Sequence, residues 1–542
     1  MPERSVDQPR EAASPSFDAV VVGAGFSGLY MLHRLRTLGF SVRVYEAGSG
    51  IGGTWFWNRY PGARCDVESV DYSYSFSPEL EQEWTWSERY APQPEILDYL
   101  NFVADRLDLR RDIRFDTRIE SARFDDERDR WELVTDGGEA VSATFCVMAT
   151  GCLSSTKLPE VDGVESFAGP TFHTGRWPHT PVDFSGQRVG VIGTGSSAVQ
   201  SIPHIARQAE HLVIFQRTAN FCVPAWNHPL DPKYVAEVKA DYPARRELCR
   251  QSHAGFPLAG EVAMAQEASE DERAQRYADK WEEGGLGFLG SFGDLLIDPA
   301  ANETASEFIR QKIRERVKDP AVAELLSPTG YPCGTKRLCV DIDYYETFNR
   351  PNVTLVDIKN NPIERITPSS VVTRDETYEL DALVFATGFD AMTGALSQIA
   401  ITGKGGQTLA EKWRDGPRTY LGLAPAGFPN LFIITGPGSP SVLSNMVVSI
   451  EQHVDWISDC LVHLREGGLA RIEATDEAEE AWVDLVAQLA NFTLFPQANS
   501  WYVGANVEGK PRVFMPYVGG VNTYRQYCDQ VVEQGYAGFA LA

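Results

Sequence analysis

Two glycine-rich segments, each lying between a short β-branched run and a helix-forming stretch, constrain this chain more than any other feature of its sequence. Gly23–Gly28 has the sequence G-A-G-F-S-G and follows the run 17–22, and Gly193–Ala198 has the sequence G-T-G-S-S-A and follows the run 187–192. In a dinucleotide-binding unit such glycines allow a tight turn, a close approach of the backbone to a pyrophosphate, and close packing of helix on strand. The sequence therefore predicts an α/β protein with two Rossmann-like dinucleotide-binding domains.

The first glycine segment is predicted to bind FAD. The next strand-like run ends at Glu46, about 20 residues after the turn, where a carboxylate can accept hydrogen bonds from a ribose diol and repels a 2′-phosphate. Gly52, Gly53, Thr54 and Trp55 follow, and a second glycine pair after the ribose-binding acid is typical of FAD enzymes. A structural turn with a coincidental acid is the alternative.

The second glycine segment is predicted to bind NADPH. No acid ends the strand-like run that follows it, where the residues are Gln216, Arg217 and Thr218. A cation at this position suits the 2′-phosphate of NADPH, which an acid would repel. A solvated surface role for Arg217 is the alternative. Two such sites in one chain imply hydride transfer from nicotinamide to flavin.

The size and charge of the chain limit its partners. Its 542 residues are too many for one ordinary core, so two or three packed domains are expected. A net charge of −26 repels phosphate backbones, so nucleic acid is not expected as a partner. No apolar run reaches the roughly 18 residues of a membrane helix, and the N-terminus lacks the apolar core of a signal peptide. We expect a cytoplasmic protein without membrane contact, as a monomer or weak oligomer.

The nine cysteines are odd in number and scattered, and no two of them are spaced as C-x-x-C. This pattern is typical of reduced, structural thiols in the cytosol and argues against a zinc knuckle or a redox-active dithiol. The histidines and acids show no metal-ligand spacing either, so no metal is expected.

The order of strand-like and helix-forming runs predicts how the domains are arranged along the chain. Charged, helix-forming stretches at 270–283 and 305–322 indicate a helical insertion in the second nucleotide domain. The predicted parts are a flexible tail (1–16), an FAD-binding domain (17–150 and 390–542), an NADPH-binding domain (151–231 and 329–389) and the helical insertion (232–328).

One further segment carries a resemblance to a known family. The stretch 167–178 matches the pattern F-x-G-x-x-x-H-x-x-x-W-P at every fixed position, namely Phe167, Gly169, His173, Trp177 and Pro178. This pattern is the fingerprint of Baeyer–Villiger monooxygenases, and the chain resembles that family over nearly its whole length, closest to the phenylacetone and steroid monooxygenase branch. The resemblance implies that one oxygen atom of O2 is inserted beside the carbonyl of a hydrophobic ketone, through an anionic C4a-peroxyflavin, to give an ester or lactone.

The resemblance also implies roles for individual residues. It implies that Arg337 is the catalytic cation that stabilises the peroxyflavin. It also implies that Asp66 is the acid that pairs with this cation and orients it. It places Lys336 beside Arg217 at the 2′-phosphate, and it implies domain coupling rather than direct chemistry for the fingerprint. The remaining implied contacts are the FAD-binding Gly23, Gly25, Gly28, Glu46, Gly53, Thr54, Trp55, Asp66, Tyr72 and Met446, the NADP-binding Gly193, Thr194, Gly195, Ser196, Ser197, Gln200, Arg217, Thr218, Lys336, Arg337 and Trp501, and the ketone-pocket Ser441, Val442 and Leu443.

Other fates of the reduced flavin remain open at this point. A disulfide reductase would need a redox-active cysteine pair near the flavin, and this sequence contains no C-x-x-C. A heteroatom-hydroxylating flavoprotein, acting on nitrogen or sulfur, would share both nucleotide sites. A non-catalytic FAD/NADPH redox sensor is the third alternative.

Overall fold

The computed structural model describes residues 15–257 and 263–542; the predicted tail up to residue 14 and residues 258–262 of the predicted insertion lie outside the described residues. In these two ranges the strands are, in chain order, β1 (Ser16–Val22), β2 (Val42–Tyr45), β3 (Ile113–Arg114), β4 (Ile119–Asp125), β5 (Arg130–Thr135), β6 (Ala140–Met148), β7 (Thr171–His173), β8 (Arg188–Ile192), β9 (His211–Gln216), β10 (Cys222–Pro224), β11 (Cys339–Asp341), β12 (Val353–Asp357), β13 (Ile363–Ile366), β14 (Ser370–Thr373), β15 (Thr377–Glu379), β16 (Ala382–Phe385), β17 (Ala400–Thr402), β18 (Leu431–Ile433), β19 (Ile472–Ala474) and β20 (Phe539–Leu541). The α-helices of the same ranges are α1 (Phe26–Thr37), α2 (Thr54–Trp57), α3 (Pro78–Glu83), α4 (Gln93–Arg106), α5 (Ser196–Gln208), α6 (Pro232–Ala240), α7 (Tyr242–Gln251), α8 (Glu270–Glu283), α9 (Pro299–Arg316), α10 (Pro320–Leu326), α11 (Tyr344–Thr347), α12 (Gly394–Ser397), α13 (Leu409–Lys412), α14 (Met446–Gly467), α15 (Asp476–Asn491) and α16 (Val521–Glu533).

The first sheet positions the first glycine turn. Strand β1 lies between β2 and β6, and β3 and β18 continue this parallel set. Strands β4 and β5 form an antiparallel meander with β6, and β17 pairs with β4. The β-branched residues of β1 suit a central strand that is covered on both faces. The turn after β1 therefore lies at the carboxyl end of a central strand, where nucleotides bind in open α/β sheets.

The second sheet repeats this arrangement. Its strand order is β12-β9-β8-β16-β7, and all of its neighbouring strands are parallel. Strand β9 ends at Gln216, so Arg217 and Thr218 directly follow it, as the sequence predicts. The turn after β8 lies between β9 and β16, again at the carboxyl end of a central strand. The predicted α/β class with two Rossmann-like sheets is confirmed, whereas the domain limits remain a prediction.

The helical segment after residue 231 differs from its prediction in one place. Helix α8 has the predicted limits, but the single stretch predicted over 305–322 is wrong, since α9 ends at Arg316 and α10 begins at Pro320. A proline disfavours helical geometry at the residue before it, and the carboxylate of Asp319 caps the new helix by accepting from two backbone N–H groups. Across the described ranges, no helix has both the length and the apolar character needed to cross a membrane.

The same segment divides its packing between the two sheets. Helices α6 and α7 pack with Val238 and Tyr242 into the core around the first sheet, whereas α8 to α10 pack into the core around the second. A buried ion pair anchors α7: the guanidinium of Arg246, 4% exposed, donates to Glu81, 7% exposed, at 2.7 Å. Arg246 also donates to the hydroxyl of Ser73 at 2.7 Å. The pair thus ties α7 to α3.

The substitution Glu81→Gln should destabilise the protein, because it removes the carboxylate to which the buried guanidinium of Arg246 directly donates. The expected cost is about 3–5 kcal/mol, the range for breaking one side of a buried ion pair. Glu83→Gln is the matched control, because Glu83 lies on the same helix and pairs with Arg106 in solvent. Thermal unfolding of the FAD-loaded proteins should show a lower midpoint for Glu81→Gln alone. Equal midpoints for the two variants would contradict the stabilising role of the Arg246–Glu81 ion pair.

Candidate functional site

One cavity of about 1100 Å³ runs between the carboxyl ends of the two sheets and is lined by both glycine turns. Sites for a single drug-sized ligand are about 300–1,000 Å³, so this cavity has room for more than one such molecule. The predicted residues that line it are Gly23, Gly25, Glu46, Gly53, Thr54, Trp55, Asp66, Tyr72, Gly193, Thr194, Gly195, Ser196, Ser197, Gln200, Arg217, Thr218, Lys336, Arg337, Val442, Met446 and Trp501.

The glycines of the first turn are required by close backbone contacts. Gly23 has φ 107°, and a Cβ there would lie 2.6 Å from the carbonyl oxygen of Ala149. Gly28 packs α1 on the turn, since its Cβ would lie 1.8 Å from the carbonyl oxygen of Gly23. A Cβ on Gly53 would lie 2.9 Å from the Cα of Gly25. The loop that contains Gly53 was predicted to bind the cofactor, and it therefore also packs directly on the first glycine turn.

Glu46 holds the first turn in place and faces the same cavity. Its two carboxylate oxygens accept from the backbone N–H groups of Ala24 and Gly48, each at 2.7 Å. Burial raises the pKa of Glu46, although the two backbone hydrogen bonds oppose the rise. Each carboxylate oxygen retains a further lone pair. Glu46 can therefore accept hydrogen bonds from a diol that enters the cavity.

The second turn has the same geometry but leaves more space. Gly193 has φ 110°, and its Cβ would lie 2.4 Å from the carbonyl oxygen of Ala386. A Cβ on Gly195 would meet no protein atom within 4 Å, although Gly195 lines the cavity. The hydroxyl of Thr194 donates to the carbonyl of Thr218 at 2.9 Å. Helix α5 thus begins at an open position where its free N–H groups can meet an anion.

Two cations stand together beside this second turn. Burial lowers the pKa of Lys336, and the nearby charge of Arg217 lowers it further. Within residues 15–257 and 263–542, neither Arg217 nor Lys336 forms a salt bridge with a carboxylate. The ammonium of Lys336 lies 4.8 Å from the ring centre of Tyr331. Two like charges held together without a protein counter-ion suit a bound phosphate.

Arg337 and Asp66 form a two-pronged ion pair in the wall of the cavity. Nε of Arg337 donates to Oδ2 of Asp66 at 3.0 Å, and Nη2 donates to Oδ1 at 2.8 Å. Nη1 donates to the carbonyl of Val442 at 2.9 Å. Burial lowers the pKa of Arg337, but Asp66 and Tyr502 offset this and hold the pKa above its usual range. The site therefore contains a cation fixed in position and charged at every working pH.

Aromatic and apolar residues complete the lining. The indole N–H of Trp55 donates to the hydroxyl of Tyr72 at 3.3 Å, and Met446 begins α14 at the cavity wall. Trp501 begins a short 3-10 helix and packs on Tyr502 with ring centres 4.2 Å apart. These positions agree with the expected contacts, while their roles in binding remain predictions.

The predicted ketone-pocket residues differ in position. Val442 lines the cavity. Ser441 is fully buried beneath it, and its hydroxyl lies 3.1 Å from the Sγ of Cys152. Leu443 packs in the small core that contains Phe495. Neither Ser441 nor Leu443 lines the cavity, because the 3-10 turn that carries them buries the side chain of Ser441 and packs the half-buried Leu443 beside that core.

The fingerprint residues lie outside the cavity and connect segments that cross between the two sheets. His173 accepts from the N–H of Gly175 at 2.9 Å through Nδ1, so Nε2 carries the proton and donates to the carbonyl of Lys157 at 3.2 Å. The hydroxyl of Thr387 donates to the same carbonyl. Burial lowers the pKa of His173 and keeps its ring neutral. This arrangement supports the expected coupling role.

The other fingerprint positions are structural. A Cβ on Gly169 would lie 2.4 Å from the carbonyl oxygen of Asp381. The ring of Trp177 stacks on that of Phe172 with ring centres 5.2 Å apart, and the half-buried Pro178 follows it. Phe167 is buried in the core on the other face of the second sheet.

Several contacts could not be found from the motifs. The side chain of Gln200 accepts from the hydroxyl of Tyr60 at 2.8 Å and donates to the carbonyl of Arg64 at 3.1 Å, so it joins the two halves in addition to lining the cavity. The Val442 carbonyl that holds Arg337 has no sequence signal, because it is a backbone group. Cys152 lines the cavity and Tyr502 interacts with Arg337, yet neither stands in a recognisable motif.

The fold and the cavity together define a flavoprotein with two dinucleotide sites. Residues 18–232 match the family model described as flavin-binding monooxygenase-like. A phenazine N-monooxygenase of Lysobacter antibioticus is 45% identical over 97% of both chains, and a Baeyer–Villiger monooxygenase of Pseudooceanicola batsensis is 44% identical over 96% of this chain and 95% of its own. The solved structure of an oxidised steroid monooxygenase bound to NADP superposes with a TM-score of 0.93 and 56% identity, over 97% of this chain and 99% of that one.

These identities extend over nearly the full length of the chain. The chain belongs to the Baeyer–Villiger monooxygenases, a group of the flavin-binding monooxygenases. The expected enzyme class, fold and cofactors, FAD and NADPH, are confirmed.

The two glycines of the second turn should respond differently to alanine. Gly195→Ala places a methyl group in the open space of the cavity, so the protein should keep its unfolding midpoint while the Kd for NADPH rises at least about tenfold. Gly193→Ala forces a positive φ and a backbone clash, so its unfolding midpoint should fall. Calorimetry and NADPH titration measure both effects, and unchanged NADPH binding in Gly195→Ala would be the contrary result.

Proposed function

We propose that this chain inserts one oxygen atom of O2 beside the carbonyl carbon of a hydrophobic ketone and thereby forms an ester or lactone. The observation that carries the proposal is the half-buried guanidinium of Arg337, fixed by Asp66 in the wall of the cavity that both halves share. FAD, when bound, supplies the activation of O2.

Arg337 is suited to stabilise negative charge that develops in the cavity. A guanidinium has five N–H donors. Asp66 and the carbonyl of Val442 engage Nε, Nη2 and one N–H of Nη1. Tyr502 also hydrogen-bonds Arg337, so the stabilisation of an anionic oxygen rests on the fixed positive charge of the guanidinium. A fixed cation in a site that excludes water stabilises such an oxygen without reorganisation during the reaction.

The two cofactors are assigned by charge. Glu46 at the first turn accepts hydrogen bonds from the ribose of FAD, and the pair Arg217 and Lys336 binds the 2′-phosphate of NADPH. The strands of the first sheet come from 16–148 and 400–433, which supports an FAD domain of 17–150 and 390–542. The strands of the second sheet come from 171–216 and 353–385, which supports an NADPH domain of 151–231 and 329–389. Residues 232–328 are then the helical insertion.

The substrate class follows from the lining beside Arg337. Val442, Met446 and Leu153 present apolar side chains to the cavity, and an apolar wall favours a hydrophobic ketone. A relative is named as a steroid monooxygenase, which supports a cyclic or aromatic ketone. Ser441 and Leu443 would then shape the pocket from behind, by fixing the position of Val442.

Nitrogen oxidation is the second candidate, because one relative is named as a phenazine N-monooxygenase. The same cavity and cofactors would serve either reaction. NADPH consumption with a ketone panel and an aromatic N-heterocycle panel, followed by product analysis, separates the two. Esters from ketones support the proposal, and N-oxides without esters would replace it.

We place the protein in the cytoplasm, as a monomer or weak oligomer. The support for this location is that all nine cysteines are free and buried, as expected for a reducing compartment. Sedimentation at several concentrations tests the oligomeric state.

Arg337→Ala should separate the reductive step from the oxygen-transfer step. NADPH should still reduce the flavin, since the 2′-phosphate cations remain, whereas the ester yield should fall by about 10²–10³-fold, the usual effect of removing one oxyanion donor. Stopped-flow absorbance and gas chromatography measure the two steps. Arg64→Ala is the matched control, because Arg64 lines the same cavity and pairs with Glu88 at 3.3 Å. A normal ester yield from Arg337→Ala would remove the proposal.

Arg217→Ala should change the choice between the two nicotinamide cofactors. Loss of one charge-assisted hydrogen bond costs about 1.5–3 kcal/mol, so the KM for NADPH should rise by roughly 10–100-fold. The KM for NADH should change little, because NADH lacks the 2′-phosphate. Steady-state kinetics with both cofactors provide the comparison, and an equal rise for both would show that Arg217 acts elsewhere.

A further inference from the structure

Two cysteines that are far apart in the sequence lie side by side in the fold. Strands β10 and β11 are parallel neighbours, and their register pairs Cys222 with Cys339. Neighbouring strands lie about 4.8 Å apart, which falls within the Cα separation of about 4.4–6.8 Å that a disulfide spans. The backbone therefore places these two cysteines within reach of a covalent bond.

The side chains have the matching orientation. The thiol of Cys222 donates to the carbonyl of Asn220, and the thiol of Cys339 donates to the carbonyl of Arg337, each at 3.7 Å. Each sulfur thus points to the carbonyl two residues before its strand, so both sulfurs lie on the same face of the pair. Burial raises the pKa of the Cys222 thiol, and the neighbouring Cys339 raises it further. The strand register and the shared orientation of the two side chains place the sulfurs next to each other.

Access to the pair is from the cavity. Cys339 lines the cavity, whereas Cys222 is fully buried behind it. Cys65 and Cys152 line the same cavity, but neither stands in strand register with another cysteine. All nine cysteines fall within the described residues, so the comparison includes every thiol of the chain. An oxidant in the cavity thus meets three thiols, of which Cys339 has a second thiol beside it.

We infer that Cys222 and Cys339 form a dithiol that hydrogen peroxide in the cavity converts to a disulfide. This source of peroxide rests on the proposed function: O2 takes up two electrons from NADPH and two protons, and it leaves as hydrogen peroxide when no oxygen atom is transferred to a substrate. The O–O bond breaks on attack by the sulfur of Cys339, which becomes a sulfenic acid while one water leaves. The sulfur of Cys222 then attacks the sulfenic sulfur, the S–S bond forms, and a second water leaves with the proton of Cys222. Two thiols lose two electrons, and one peroxide gains them.

The disulfide would join the two segments that carry the cations. Strand β10 begins five residues after Arg217, and β11 begins two residues after Arg337. A bond between the first residues of these strands limits how far the 2′-phosphate site can move relative to Arg337. A reversible disulfide also protects Cys339 from the irreversible sulfinic acid. A disulfide between directly paired strands is strained, and strained disulfides are the readily reduced ones.

The test treats the FAD-loaded protein with hydrogen peroxide and then maps its cysteines by mass spectrometry, with and without a reducing agent afterwards. The expected result is a cross-linked peptide pair containing Cys222 and Cys339, lighter by about 2 Da for the two hydrogens lost, which reduction restores. Cys65 and Cys152 should gain oxygen atoms without cross-linking. Because added peroxide is the oxidant, the outcome does not depend on ester formation.

Variants distinguish the pair from chance oxidation. In Cys222→Ala, Cys339 should gain one to three oxygen atoms and should not recover on reduction, since its partner is missing. Cys222→Ser keeps the shape of the side chain and should behave in the same way, which guards against a folding defect. Cys146→Ala is the matched control, because Cys146 is a fully buried cysteine of the first sheet, and it should still form the cross-link.

Two results would overturn the inference. One is that Cys339 gains oxygen atoms in the unaltered protein while Cys222 stays a free thiol. The other is that Cys65 and Cys152 are oxidised fully while Cys339 stays unreacted, which would show that the cavity does not deliver peroxide to the pair.

Discussion

The site depends on one half-buried ion pair, between Arg337 and Asp66, whose members are 271 residues apart in the chain. Asp66 comes from a loop of the first half and Arg337 from the segment before β11, while the carbonyl of Val442 comes from the C-terminal part. Withdrawing two charges from water, even in part, carries a free-energy cost that close, multiple hydrogen bonds offset. The pair therefore persists because three distant segments converge, and in converging they set the position of the cation in the cavity.

The parts of this fold that a sequence can predict are those fixed by local backbone geometry. Gly23 and Gly193 both have a positive φ, and both pass close to the carbonyl of an alanine that follows a neighbouring strand, Ala149 or Ala386. These constraints act over a few residues and leave a readable pattern of strand, glycine turn and helix. The charge at the end of the following strand is equally local, so Glu46 and Arg217 could be assigned opposite preferences before any contact was known.

Contacts between distant segments could not be predicted in this way. C-x-x-C spacing detects cysteines that are close in sequence, but Cys222 and Cys339 meet through strand register, which the pattern of residues around either one does not reveal. The interpretation of the thiols as unpaired structural groups missed this proximity. Ser441 was assigned to the pocket because its segment resembles the ketone-pocket loop of the family, but successive residues of a 3-10 turn point in different directions. The side chain of Ser441 consequently faces Cys152 in the core.

The distribution of charge explains how two similar nucleotide units share a cavity without exchanging cofactors. The protein carries a net charge of −26, yet Arg217, Lys336 and Arg337 line the part of the cavity built by the second half. On the first half, Glu46 is fixed by two backbone N–H groups and cannot turn away from the first turn. A dinucleotide with a 2′-phosphate is attracted by the second turn and repelled by the first, and at about 4 Å in a protein environment such a charge interaction is worth several kcal/mol. The backbone units are alike, which supports the proposal that the side chain at the end of each following strand selects the cofactor.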